Sequence, residues 1–426
     1  MKHLRKIGPL VALAIAGFAL PIAAHAQPTD PQPETQDAGT GLRGGWVLLN
    51  AQETALVRAG TNAMYNLRYN EADTMFNKLI ELDPEHPAGY FLLALVDWWR
   101  IVPNAEIKVQ YESAQKSFDS RIDKVLEICD KRLANNPNDI IGLFFKGSAL
   151  GYRSRLMLLT GFDATSPLAW VRAGTEGKEA YDIILQCQRL APSNSDILLG
   201  SGLYNYFSAL INDKYPIAKS VLGFLPPGDK KIGLSMLRIS GQRAVYAGTE
   251  ARYAMIDILT TMEEDRDSHE QSLLVAKALY QQYPGNSVFE RFLAKNYYQT
   301  GDLVNADSTY TDILRRVQRR DPGYELSLAW RGLYYLGDIR LRLGQYIDAA
   351  KYFQQADVLA HRIGSDEAES NWNILTNLKM GYALDKQGRH DDAVAQYRKV
   401  LSMDDYSDSR NKAKKYIAQP YNGTGD

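Results

Sequence analysis

Reactive side chains are scarce in this sequence. Its 426 residues include two cysteines and six histidines. Four histidines lie beyond residue 26, at His86, His269, His361 and His390, and none has a second ligand at metal-binding spacing. No HExxH pair, GxSxG nucleophile elbow or GxxxxGKS/T phosphate loop occurs; GTEGKEA, from Gly174, has the wrong spacing for the last. A formal GxGxxG at Gly39, Gly41 and Gly44 neither follows a strand nor opens a helix, so it carries no dinucleotide reading. The acidic run MEEDRDSHE, Met262 to Glu270, falls between two predicted helices and reads as a solvated turn. Together these absences weigh against a metallohydrolase, a serine hydrolase and a nucleotide-driven enzyme. No catalytic residue, cofactor or metal is assigned.

An excess of one charge sign is missing as well. Lys and Arg number 49 against 50 for Asp and Glu. Without a basic block there is no electrostatic footprint for nucleic acid or anionic lipid. Long apolar runs are confined to the start, where Lys2, Arg5 and Lys6 precede an apolar stretch and then Ala24-His25-Ala26. That order reads as a secretory signal over 1–26, cut before Gln27. Pro9, Gly17 and Pro21 interrupt it, leaving less than the roughly 20 apolar residues a spanning helix needs. The mature chain is therefore expected to be exported and soluble, most simply periplasmic. Residues 27–45, rich in Pro, Gln, Thr and Gly, read as a disordered leader, and 419–426 as a flexible tail. In a compartment that permits disulfides, Cys129 and Cys187 lie on the apolar faces of predicted helices. They read as small buried hydrophobes, with a bridge between neighbouring helices as the alternative.

What the sequence does have is helical periodicity. Apolar residues recur at three- and four-residue steps, prolines separate the periodic segments and no run alternates as a strand would, so an all-α chain is predicted. Three C-terminal segments superpose: YYQTGDLVNADSTYTDIL, RLRLGQYIDAAKYFQQA and ALDKQGRHDDAVAQYRKV. Each carries a glycine (Gly301, Gly344, Gly388), then a large side chain two residues on (Leu303, Tyr346, His390). An alanine follows three further (Ala306, Ala349, Ala393) and an aromatic four further (Tyr310, Phe353, Tyr397). The glycines Gly301, Gly344 and Gly388 are 43 and 44 residues apart, with Ala294, Gly337 and Gly381 seven residues before them. The N-terminal stretch repeats the pattern at Gly60, Ala63, Tyr69, Ala72 and Phe76. His390 thus fills a packing slot held elsewhere by Tyr346 or Leu303. Asp391 and Asp392 open a helix, where acids suit the positive end of the dipole.

These segments resemble the tetratricopeptide repeat family, whose unit is an antiparallel helix pair with small residues where the helices cross. Degenerate second helices can be placed before Pro137, Pro192 and Pro284, and another at DKKIGLSMLRISGQ; Ser287 and Glu290 suggest a capping box for the next helix. The resemblance implies an α-solenoid of about eight helical hairpins. Its N-terminal units, 46–250, are degenerate and carry insertions; its regular units span 251–418. It also implies a superhelical groove walled by first helices. Periodicity turns Arg291, Lys295, Tyr298, Arg331, Tyr334, Asp338, Arg342, Tyr382 and Lys386 toward that groove, a mixture suited to an extended peptide or acidic segment. The family's paired Lys and Asn carboxylate clamp is not matched.

The N-terminal units are longer, Pro84, Pro137 and Pro192 being 53 and 55 residues apart. Their extra residues are expected between the helices of each hairpin, bringing Trp98, Trp99, Phe162, Trp170, Tyr215 and Phe224 to one edge. Such an aromatic rim would bind a partner or small ligand, unless those side chains fold back over their own helices. Two functions follow: an exported, non-catalytic scaffold that binds a polypeptide in envelope assembly or secretion, or a periplasmic receptor for a small apolar or lipid ligand. A hydrolase would need converging carboxylates, which the sequence does not display.

Overall fold

The computed structural model describes residues 49–102, 108–161, 167–214, 227–364 and 370–423. The expected signal and leader lie outside these residues. Among the described residues there are seventeen helices and no strand. They are α1 Ala51–Tyr65, α2 Tyr69–Leu82, α3 Ala88–Ile101, α4 Lys108–Asn135, α5 Ile140–Gly161, α6 Pro167–Leu190, α7 Leu198–Lys214, α8 Lys230–Arg243 and α9 Gly248–Thr261. The chain continues with α10 Arg266–Gln282, α11 Ser287–Gln299, α12 Leu303–Arg319, α13 Leu326–Arg342, α14 Tyr346–Ile363, α15 Asn371–Asp385, α16 His390–Ser402 and α17 Ser409–Ala418. No described helix is long and apolar enough to cross a membrane.

Two compact units emerge. Unit 1 runs to Glu264 and takes in Gln281–Tyr283; unit 2 comprises Asp265–Tyr280 and the chain from Pro284 onward. Unit 1 contains four helical hairpins, α1/α2, α3/α4, α5/α6 and α7/α8, followed by α9. Unit 2 contains three, α11/α12, α13/α14 and α15/α16, closed by α17.

The hairpins form because a small residue on one helix meets an aromatic on the next. A Cβ placed on Gly60 would sit 2.3 Å from the Phe76 ring; at Gly337 it would be 2.7 Å from Phe353, and at Gly381 2.3 Å from Tyr397. Each ring is fully buried, along with Ala72, Ala349 and Ala393 beside it. Burying a large aromatic this way contributes about 2–3 kcal/mol, so the glycine is kept for the space its missing side chain leaves. The interhelix turns are equally determined: Gly301, Gly344 and Gly388 have φ of +86°, +72° and +75°. In the first hairpin the equivalent residue is Leu67, at φ 59°. Its buried side chain offsets the ~1–2 kcal/mol that a left-handed leucine costs.

Several expectations change in detail. The extra length of the N-terminal units goes largely into helix: α4, α5 and α6 have 28, 22 and 24 residues, against 13 to 18 from α11 to α16. The expected cap Ser287 is already inside α11; Asn286 caps it, accepting from the N–H groups of Val288 and Phe289. Glu290 instead accepts from the Tyr324 hydroxyl. The second half of the acidic run lies within α10, where Arg266 pairs with Glu270 at 2.7 Å. The tail is not loose as far as Asn422: the Tyr421 ring stacks on Tyr382 at 4.1 Å, its N–H donates to Asp385, and Lys386 donates to the Asn422 carbonyl. Cys129 and Cys187 are free and buried, and burial pushes both thiols up to about 12.

His390 does occupy the turn slot, but as a polar group. Its Nδ1 lies 2.7 Å from the buried Asp385 carboxylate, which also accepts from the Tyr397 hydroxyl. The hydrogen bond that the ring donates to Asp385 raises the imidazole above its ordinary value.

Candidate functional site

Unit 1 contains a cavity of about 580 Å³. Its walls come from α1, α3, α5 and α7, the first helices of the four hairpins, together with α6, the end of α8, α9 and the stretch around Tyr283. Helix α5 shows how the sequence builds it. Phe144, Gly147, Gly151 and Arg155 recur at three- and four-residue steps and all line the cavity. At Gly151 an added Cβ would meet nothing within 4 Å, so this turn of helix presents bare backbone to open space. Phe91, Phe145, Tyr181, Ile184 and Leu203 make the remaining wall mainly apolar and aromatic.

Two carboxylates and three arginines also face the cavity. Glu250, buried on α9, accepts from the Tyr65 hydroxyl at 3.0 Å, the Trp99 indole N–H at 2.8 Å and the Tyr152 hydroxyl at 2.9 Å. These donors belong to α1, α3 and α5, so one carboxylate ties four wall helices together. Burial, and next the Glu250 charge, push the Tyr65 and Tyr152 phenols well above their ordinary value and keep them protonated donors. Asp196, in the turn between α6 and α7, accepts from the N–H groups of Tyr246 and Ala247 at 2.7 Å each, fixing the entry to α9. Burial raises its carboxyl, and these N–H groups work against that shift. Both acids are thus satisfied by neutral donors.

The arginines are not matched by these acids. Arg252 donates to the Gly248 carbonyl, Thr249 Oγ1 and Gln282 Oε1, all neutral. Arg58 is exposed at the mouth. Arg155 is 5% exposed, its guanidinium 4.8 Å over the Trp98 ring and 5.6 Å from Tyr253. Its Nε and Nη2 are buried with no hydrogen-bond partner among the described residues.

In unit 2 the first helices α11, α13 and α15 are joined by a second polar cluster. Buried Asp338 accepts from the Tyr298 hydroxyl, from Arg342 Nε at 2.9 Å and from Lys379 Nζ. Lys379, the first of the cations acting on it, holds Asp338 below the usual carboxylate range despite burial. Arg342 also lies 4.5 Å over the Tyr298 ring, while Tyr335 stacks on Tyr310 at 4.8 Å.

Profiles of tetratricopeptide repeats match residues 293–367 and 376–406, covering the hairpins just described. The chain carries tetratricopeptide repeats. Solved structures with which the chain aligns include a tetratricopeptide repeat protein from Parabacteroides merdae, at 13% identity over 75% of this chain and 98% of that one, with a TM-score of 0.29. Rap protein complexed with competence and sporulation factor aligns at 13% identity over 88% and 84%, with a TM-score of 0.33. The human IFIT1 dimer aligns at 12% over 83% and 95%, with a TM-score of 0.31. No curated protein matches the sequence.

Within the tetratricopeptide hairpins the groove residues divide. Arg291, Lys295 and Tyr298 on α11 are half-buried, Arg342 is exposed and Lys386 is half-buried. Tyr334, Tyr382, Asp338 and Arg331 are buried; they build the helix stack and offer little surface. Tyr334 packs edge-on against Trp372, and the chain's own Tyr421 covers Tyr382. The rim fares differently from its expectation. Trp98 and Trp99 lie inside α3, fully buried behind the cavity wall, because an apolar helix enclosed on all sides leaves them no edge to reach. Trp170 lies in α6; Phe162, Tyr215 and Phe224 fall outside the described residues.

The sequence reading missed Tyr65, Tyr152, Arg155 and Glu250, which come from three helices far apart in the chain. One signal was available: α5 is strongly apolar, yet carries glycines on the same stripe as Arg155.

Proposed function

We propose that this protein is an exported, non-catalytic adaptor whose tetratricopeptide hairpins in unit 2 bind an acidic polypeptide segment. Repeat hairpins of this kind serve protein interaction, and the observation that favours an acidic partner is the charge on the first-helix face. Arg291, Lys295, Arg342 and Lys386 remain at least partly accessible there, while Asp338 is buried and already held by Lys379 and Arg342. Arginine beside tyrosine suits carboxylates, with the ring adding contact area at low entropic cost. Export and a periplasmic site are read from residues 1–26, and a role in envelope assembly or secretion goes with that location.

Photo-crosslinking in intact cells tests this. A crosslinker at position 295 or 342 is expected to capture one common protein that a crosslinker at exposed Lys351 on α14 does not. Equal capture at all three positions, or none at 295 and 342, would exclude that face.

A second reading, a receptor for a small ligand, is favoured by the cavity of unit 1. Its volume falls in the ~300–1,000 Å³ range of small-molecule sites, and its lining joins aromatic walls to a few placed polar groups.

A further inference from the structure

We propose that the cavity of unit 1 binds an amphiphilic organic anion, its carboxylate on Arg155 and its apolar body between Phe91, Phe144, Phe145 and Leu203. This rests on the small-ligand reading and adds the chemistry of the ligand.

Arg155 carries the assignment. A buried guanidinium without an acceptor is costly, because desolvation of a fixed charge is offset only by ion pairing and hydrogen bonding. Arginine cannot escape by losing its proton. Neither carboxylate of the cavity lining is spare among the described residues: Glu250 is taken by Tyr65, Trp99 and Tyr152, and Asp196 by the backbone of residues 245–247. Arg155 Nε and Nη2 stay unmatched among the described residues. The flanking rings of Trp98 and Tyr253 hold the guanidinium plane in place, so its planar fork is set before a ligand arrives. A carboxylate presents two oxygens to that fork.

Gly151 is the second, independent observation. It stands one helical turn before Arg155 on the same stripe, and its bare backbone borders open space. A side chain there would fill the volume next to the guanidinium. Beyond it the walls are apolar, which gives the ligand its second half. The hydroxyl groups of Tyr65 and Tyr152 are committed to Glu250, so the apolar end of the cavity selects by shape.

The test is titration calorimetry on the full chain with two probes of equal length, sodium decanoate and decan-1-ol. Decanoate is expected to bind about tenfold tighter than decanol, the difference one charge-assisted pair makes. Arg155→Met should bring decanoate down to the decanol level, and Gly151→Leu should weaken binding of both by occupying the space beside the guanidinium. Equal binding of the two probes to the unaltered protein overturns the anion assignment while leaving a small-ligand site standing. Absence of binding by either probe overturns both readings. Unimpaired binding to Gly151→Leu would place the ligand elsewhere and likewise overturn the assignment. If Arg155→Met fails to fold by circular dichroism, the comparison of probes on the unaltered protein and on Gly151→Leu decides alone.

Discussion

Two glycines in equally regular helices should respond in opposite ways to the same methyl group. At Gly381 a new Cβ would enter the Tyr397 ring at 2.3 Å, and the ring is held on all sides, so Gly381→Ala is expected to cost about 1–3 kcal/mol. At Gly151 the methyl group meets nothing, and only the gain in helix propensity remains, about 0.5–1 kcal/mol in favour of Gly151→Ala. Urea unfolding of the two variants checks both signs. His390 gives a pH-dependent case. Its imidazole is raised above 6.5 by Asp385, so its contribution is complete below that ordinary value and is lost as pH rises through the raised one. His390→Gln should therefore lower the melting temperature at about pH 5 and change it little at about pH 9. The partly exposed ring keeps the effect below ~1 kcal/mol.

At the scale of helices, the polar clusters decide which neighbours stay together. Asp338 joins α11, α13 and α15, and removing it leaves Lys379 and Arg342 without their shared acceptor. Since Arg342 is half exposed, Asp338→Ala should cost about 2–3 kcal/mol, short of the ~3–5 for a fully buried partner. Glu290 acts with the opposite sign. Burial pushes it up to about 7, against the Tyr324 hydroxyl and Arg316. Its favourable state is the protonated one, complete below 4.5 and lost as pH rises through about 7. Glu290→Gln, whose carbonyl can still accept from Tyr324, should accordingly gain on the unaltered protein between about pH 5 and about pH 8 in thermal melts. The helices themselves were readable because Gly301, Gly344 and Gly388, with their alanines and aromatics, recur at a fixed step and each has one steric meaning. The clusters were not. Asp338, Tyr298 and Lys379 are ordinary surface letters in their own helices, and only the crossing of helices brings them into contact. Trp98 and Trp99 misled for a related reason: side chains near a predicted connector look like surface until the connector proves to be helix.

Across the whole molecule, cohesion comes without covalent staples. Cys129 and Cys187 are buried as protonated thiols, and a thiolate is the reactive form, so Ellman's reagent should label neither until the chain unfolds. Thermal melts with and without reductant should coincide; a reductant-dependent melt would mean that a bridge forms.

Tyr65 reaches Glu250 across 185 residues of chain, with Tyr283 packed against the same ring at 5.1 Å. An open array of repeats can be shortened from one end while its middle keeps its stability, since each module leans only on its neighbours. Here that modularity is given up. Deleting the first hairpin would strip a donor from the acid at the far end of the unit and uncover the cavity, so loss of residues 49–82 should unfold segments far downstream in the same unit.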